Sequence, residues 1–240
     1  MAFSTALSAD ASYQIHSSVT TVAADQTSTG GGAGPTSATI ASQTVSAEGG
    51  VAVATVLILF SLVAVTENGA VLFTFYICRD LITPTNLFIL SLTVCDFCIA
   101  LFGNPFVVVS GLARGWYFGH FGCIFYGFFM TFLGLTSISL LTAISVDRYI
   151  LIVHTMRAVT IDFRAAIFSV IGCLLYALFW SGVPLFGWNL YVQEASGLAC
   201  SVQWQGSTTS DIAYIVLMLI FCLAIPLLLI GYSYIQIFIA

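Results

Sequence analysis

Five stretches of this chain run for about twenty residues or more with hardly a charge: 51–78, 86–112, 119–146, 165–186 and 212–240. About twenty apolar residues wound as a helix cross the roughly 30 Å of hydrocarbon in a bilayer. Only 6% of the residues are charged and 60% are hydrophobic. A soluble globule draws on about 25% charged residues, so the expected solvent is lipid and the expected fold is an all-α membrane protein. The third stretch ends informatively. A helix from Tyr126 to Asp147 rises about 31 Å, so Asp147 and Arg148 are expected at a membrane surface.

Residues 1–50 differ in kind. They are rich in Ser, Thr, Ala and Gly, with no basic residue and few large apolar ones, a composition that cannot repay the entropy of ordering. They read as a disordered tail. The tail lacks the basic n-region and apolar h-region of a signal peptide, and the chain has no Asn-x-Ser/Thr acceptor site, so orientation rests on charge. All five basic residues are arginines. With the N-terminus outside, Arg79, Arg148, Arg157 and Arg164 flank spans on the cytoplasmic side and Arg114 alone lies outside, in accord with the positive-inside rule. The tail, Glu194 and Asp211 are then extracellular. An odd number of spans ending inside an apolar stretch reads as a fragment of a longer chain.

Of the seven cysteines, Cys78, Cys95, Cys98, Cys173 and Cys222 fall within spans or at their inner ends. Cys123 and Cys200 face the oxidising side, where disulfides persist. A bridge between them is expected, the alternative being two unrelated thiols. Ionisable groups in hydrocarbon are functional candidates by default. Glu67 and Asn68 fall in the first span, Asp96 in the second and Ser137 in the third. Asn68, Asp96 and Ser137 suit a polar cluster holding water or a cation, and equally suit plain hydrogen bonding between helices. Along the third span Gly127, Thr131 and Gly134 make one face of small residues, beside a bulkier stripe of Tyr126, Met130 and Leu133. Such a stripe serves packing or a ligand. His16, His120 and His154 are scattered, and the lone Cys95/Cys98 pair is buried in a span. No metal site, phosphate loop, catalytic set or nucleic-acid partner is expected.

Taken together, the motifs resemble the rhodopsin-like G-protein-coupled receptors over about residues 51–240. Asn68, Leu92-x-x-x-Asp96, Trp116-Tyr-Phe-Gly119 with Cys123, Asp147-Arg148-Tyr149, Cys200, and Pro226 with Tyr234 stand in family order. Within that family Thr83-Pro-Thr-Asn-Leu-Phe88, Pro184-Leu-Phe-Gly-Trp188, and Tyr191 and Glu194 ahead of Cys200 resemble opsins. The resemblance implies the first five helices of a seven-helix bundle in the plasma membrane. It implies retinal as chromophore, a heterotrimeric G protein as partner, and arrestin and a receptor kinase as further partners of the full-length protein. It makes Tyr126, Met130, Thr131, Gly134, Glu194 and Met218 pocket residues. Asp147, Arg148, Tyr149 and Tyr234 become the G-protein-coupling set, with Asp147 holding Arg148 at rest.

Opsins bind retinal as a Schiff base on a lysine of the seventh helix, and these 240 residues contain no lysine. The chain alone is therefore not expected to hold a stable photopigment. Some opsins carry an acid one turn after the disulfide cysteine, where Tyr126 stands here, so the counter-ion expectation falls on Glu194. Thr155 stands at a usual proline, Leu174 at a usual tryptophan, and Leu190 and Gln203 at a common Arg/Asp pair. Two other readings compete: a rhodopsin-like receptor for a diffusible ligand, and a transporter or channel with midplane polar residues.

Overall fold

The computed structural model describes residues 46–153, 162–206 and 208–239. Five helices among them are long and apolar enough to span a membrane. They are α1 (Ala47–Ile77), α2 (Pro84–Ala113), α3 (Gly119–Val153), α4 (Phe163–Phe186, its last turn tightened to 3-10) and α5 (Thr209–Ile239). A short hairpin, β1 (Tyr191–Gln193) antiparallel to β2 (Cys200–Val202), lies between α4 and α5 in sequence. The all-α membrane fold expected from the apolar windows is present. The tail over residues 1–45 and the loop carrying Thr155 and Arg157 lie outside the described residues.

The helix ends follow local chemistry that the apolar windows alone understate. Ser46 caps α1, its hydroxyl accepting from the Gly49 amide at 3.2 Å. The first helix thus starts at Ala47 and not at 51, and residues 47–50 do not belong to an irregular tail. Thr83 caps α2 with Pro84 in the first turn, Asp162 caps α4 through Phe163 N at 2.8 Å, and Thr208 and Asp211 form a reciprocal capping box on α5. The third helix also outruns its expected end at 146, reaching Val153. Asp147 and Arg148 therefore sit within a continuous helix.

Two helices contain a wider turn. In α2 the segment Ile99–Gly103 winds as a π-helix, with the Asn104 amide bonding back to Ile99 O. In α5 Ile220–Ala224 does the same, with Ile225 bonding to Ile220 O. Each is followed one residue later by a proline, Pro105 and Pro226, which has no amide hydrogen to give.

Packing centres on α3, which touches α2, α4, α5 and both strands. Phe88, Cys95, Leu133, Leu140 and Ala166 form its inner core. At the N-terminal end of α1 the approach to α2 is backbone on backbone. A Cβ on Gly50 would collide with the Gly111 carbonyl, and one on Gly111 would lie 2.9 Å from Gly50 O. Contact this close is the membrane substitute for hydrophobic association, since lipid tails are as apolar as leucine. Replacing Gly50 by Val should therefore cost about 1–3 kcal/mol of overpacking. Thermal denaturation in lipid nanodiscs checks this, and a change within about 0.5 kcal/mol would show that the two backbones do not meet there.

Candidate ligand pocket and inner-face site

The N-terminal half of α3 gives the candidate site its first wall. Successive turns present Cys123, Tyr126, Gly127 and Gly134 to the interior, all buried, with Met130 and Thr131 half-buried beside them. Cys123 bonds to Cys200 with Cα atoms 5.3 Å apart, joining residues 77 positions apart. That bridge pins β2, and through it β1, against α3. The close fit is visible at Gly127, where a Cβ would sit 2.5 Å from the Tyr191 ring. Only glycine admits the hairpin to this depth.

Tyr191 then reaches across the site. Its hydroxyl donates to Ser181 O at 2.7 Å, and the Thr131 hydroxyl interacts with the same phenol. Burial raises the Tyr191 phenol well above its ordinary range, so it remains a protonated donor at physiological pH. Tyr191 also joins a buried cluster with Trp180, Val202, Tyr214, Ile215, Met218 and Cys222, which brings Met218 of α5 to the hairpin. Tyr126 packs in a neighbouring cluster, its ring 5.7 Å from Phe106 and 5.3 Å from Trp116. Met130 seats its sulfur against Gly103 in the wide turn of α2. Met130 therefore leans toward α2.

Glu194 occupies the hairpin turn. Its amide donates to Ala199 O at 3.0 Å, and its carbonyl accepts from the Gly197 amide at 2.8 Å. Gly197 has φ +66°, a left-handed conformation that glycine adopts without penalty. The half-buried Glu194 carboxylate comes within electrostatic reach of the Tyr126 phenol. The Glu194 side chain thus lies near Tyr126 and the aromatic cluster around it.

Sequence reasoning missed Asn189, the residue that holds the hairpin's base. It is 1% exposed with φ +88°, which asparagine tolerates better than most residues. Its Oδ1 accepts from the Leu190 and Gln203 amides at 2.7 and 2.9 Å, and its Nδ2 donates to Gln203 O at 3.3 Å. One neutral side chain ties together the two positions where the resemblance anticipates an ion pair. The only signal was an Asn after Gly-Trp, too short to read without its partner strand.

Further along the helices lie the polar residues of the spans and the Asp147-Arg148-Tyr149 segment. Ser137 Oγ approaches Asp96 Oδ1 at 3.4 Å, while Asn68 Nδ2 donates to Ala64 O of its own helix at 2.9 Å. Ser137 and Asp96 form a pair among the described residues, and a polar contact joins α1 and α2 through Asn104 Nδ2 donating to Ser61 Oγ at 2.9 Å. Asp147 is 6% exposed and its Oδ2 has no hydrogen-bond partner among the described residues. Arg148 makes no hydrogen bond to that oxygen. Tyr149 meets Tyr232, ring centres 5.9 Å apart, whereas Tyr234 is exposed near the inner end of α5.

Substituting Asn189 by Ala should cost about 1–3 kcal/mol, because it removes the Oδ1 bridge and disfavours φ +88°. Substituting it by Gly, which relieves φ alone, should recover only part of the loss. Thermal melts of the three proteins check the ordering, and full recovery in Asn189→Gly would show that conformation, not hydrogen bonding, fixes the hairpin.

Known proteins share this arrangement. The family described as "7 transmembrane receptor (rhodopsin family)" matches residues 67–240. The chain is 40% identical over 185 residues to melanopsin of Felis catus, covering 77% of this chain and 38% of that protein. It is 36% identical over 152 residues to Opsin-3 of Mus musculus, covering 63% and 37% respectively. The crystal structure of squid rhodopsin superposes with a TM-score of 0.77 at 27% identity, over 82% of this chain and 57% of that one. The chain thus spans well under half the length of these curated relatives. With its five membrane-length helices, disulfide-anchored hairpin and family match over residues 67–240, the chain belongs to the rhodopsin family of seven-transmembrane receptors.

Proposed function

We propose that these residues form the first five helices of a light-sensing receptor of the plasma membrane, N-terminus outside, which binds retinal and activates a heterotrimeric G protein. The observation that carries this reading is the hairpin pinned by Cys123–Cys200, which lays Tyr191 against Gly127 and brings Glu194 within electrostatic reach of Tyr126. Similarity to melanopsin and to Opsin-3 supports it.

The lining suits a flat, apolar polyene. Gly127 admits the Tyr191 ring against α3, Tyr126 and Tyr191 offer ring faces, Met218 closes the α5 side, and Gly134, Met130 and Thr131 lie beside them along α3. Retinal, when bound, supplies light absorption and a change of shape on isomerisation. The 240 residues include no lysine to attach it, so the attachment point belongs to another part of the receptor. Glu194 supplies the carboxylate that a cationic attachment needs in a low-dielectric site, since the Tyr126 position carries no charge. A rhodopsin-like receptor for a diffusible ligand is the competing reading, and it assigns no need for a carboxylate in the hairpin.

On the inner face Arg148, Tyr149 and Tyr234 contact the G protein, with arrestin and a receptor kinase as further partners. Asp147 restrains Arg148 in the resting receptor. Its Oδ2, buried and without a hydrogen-bond partner among the described residues, is an acceptor that an incoming donor stabilises.

Two outcomes follow in the full-length receptor. Glu194→Gln should move absorption of the retinal-bound protein from the visible to the ultraviolet near neutral pH, because loss of the carboxylate lowers the proton affinity of the cationic group. An unchanged visible band would remove Glu194 from the role. Asp147→Asn should raise G-protein activation in the dark several-fold. Unaltered dark activity in a receptor expressed at wild-type level would refute the restraint.

A further inference from the structure

The outer halves of α4 and α5 each contain a carbonyl that a proline leaves without its amide partner, and in each case a tyrosine from the other helix answers it. In α4, Trp180 O would bond to the amide of residue 184, which is Pro184. The Tyr214 hydroxyl of α5 donates to it at 2.8 Å. In α5 the wide turn shifts the accounting by one residue. The Ile225 amide bonds to Ile220 O, so Phe221 O would fall to residue 226, which is Pro226. The Tyr176 hydroxyl of α4 donates to Phe221 O at 2.9 Å, and the Cys222 thiol lies 3.6 Å from the same hydroxyl. Trp180 fills the space between the two bonds, its ring 6.1 Å from Phe221 and 6.2 Å from Tyr214.

We propose that Tyr176 is a positioning residue for the α5 wall of the ligand pocket: its hydroxyl stands in for the amide hydrogen that Pro226 lacks and thereby holds the wide turn at Ile220–Ala224. An unpaired carbonyl at membrane depth has no water to turn to. Without Tyr176 the wide turn leaves Phe221 O unpaired; rewinding as regular α-helix returns the Ile225 amide to Phe221 O and passes the unpaired carbonyl to Cys222, four residues before Pro226, so the wide turn loses its advantage over regular winding. Removing the extra residue from the turn rotates Thr209–Leu219 by about 100° against the lower helix. Tyr214, Ile215 and Met218 would leave the buried cluster together. The inference rests on reading that cluster as pocket wall, but the device itself needs no ligand and is tested without one.

The experiment compares Tyr176→Phe in two backgrounds of the full-length receptor without retinal, wild type and Pro226→Ala, by thermal denaturation in nanodiscs. In the wild-type background the folding equilibrium should fall about 3- to 20-fold, the range for a lost interhelical hydrogen bond in a membrane. In the Pro226→Ala background it should change less than about twofold, because residue 226 then offers Phe221 O an amide. Reaction of Cys222 with a small membrane-permeant maleimide, on a protein whose other free cysteines are replaced, should quicken on Tyr176→Phe in the wild-type background alone. Failure of the single variant to fold, with recovery in the double variant, supports the proposal equally. Equal losses in both backgrounds, or failure of both to fold, would reduce Tyr176 to packing and overturn it. Unchanged Cys222 reactivity with a destabilised single variant would overturn the positioning role.

Discussion

The constraint on which this structure turns is that a backbone carbonyl in hydrocarbon must find a hydrogen donor within the protein. Regular helix meets it automatically, which is why apolar windows alone locate the spans. The departures from regular helix carry the functional detail. Pro105 and Pro226 each follow a wide turn, and Pro184 ends α4 in a tight one. At Trp180 and Phe221 the missing donor comes from a tyrosine of the facing helix. The helices are thereby joined where their own ladders are broken, and the outer half of α5 is held in an orientation that regular winding does not give.

The hairpin obeys the same rule outside the helices. A loop laid into a helical bundle has polar backbone to satisfy, and it does so through strand pairing, the Asn189 side chain and the disulfide to α3. Chain entropy assigns a bridge over 77 residues about 4.5 kcal/mol. With the hairpin fixed, Glu194 is held near Tyr126. Gly127 is the counterpart on α3, since any side chain there meets Tyr191.

Much of this was legible in the sequence because it follows from burial and charge counted along one chain. The spans, the Cys123–Cys200 bridge, the Asp96–Ser137 contact and the inward face of α3 all needed only helical period and topology. What escaped depends on pairs distant in sequence. Nothing near Tyr176 reveals that a carbonyl 45 positions away lacks a donor, because the wide turn that creates the lack is set by packing. Asn189 looked like a loop residue until its partner strand was in place. Asn68, expected in a polar cluster, satisfies itself within its own turn, which sequence spacing cannot distinguish from bonding across helices. The start of α1 at Ala47 was readable from Ser46 and from Glu48 in the first turn, signals that a window counting apolar residues passes over.

The central claim is that a retinal site is built on this five-helix frame, roofed by the hairpin and charged by Glu194. Its most direct test is the absorption spectrum of membranes containing the full-length receptor, regenerated with retinal and recorded before and after illumination. The account predicts a visible band beyond that of free retinal, which illumination changes and which is missing when the Cys123–Cys200 bridge is removed by Cys200→Ser. Folded, surface-expressed receptor that takes up no retinal and shows no light-dependent band would contradict it.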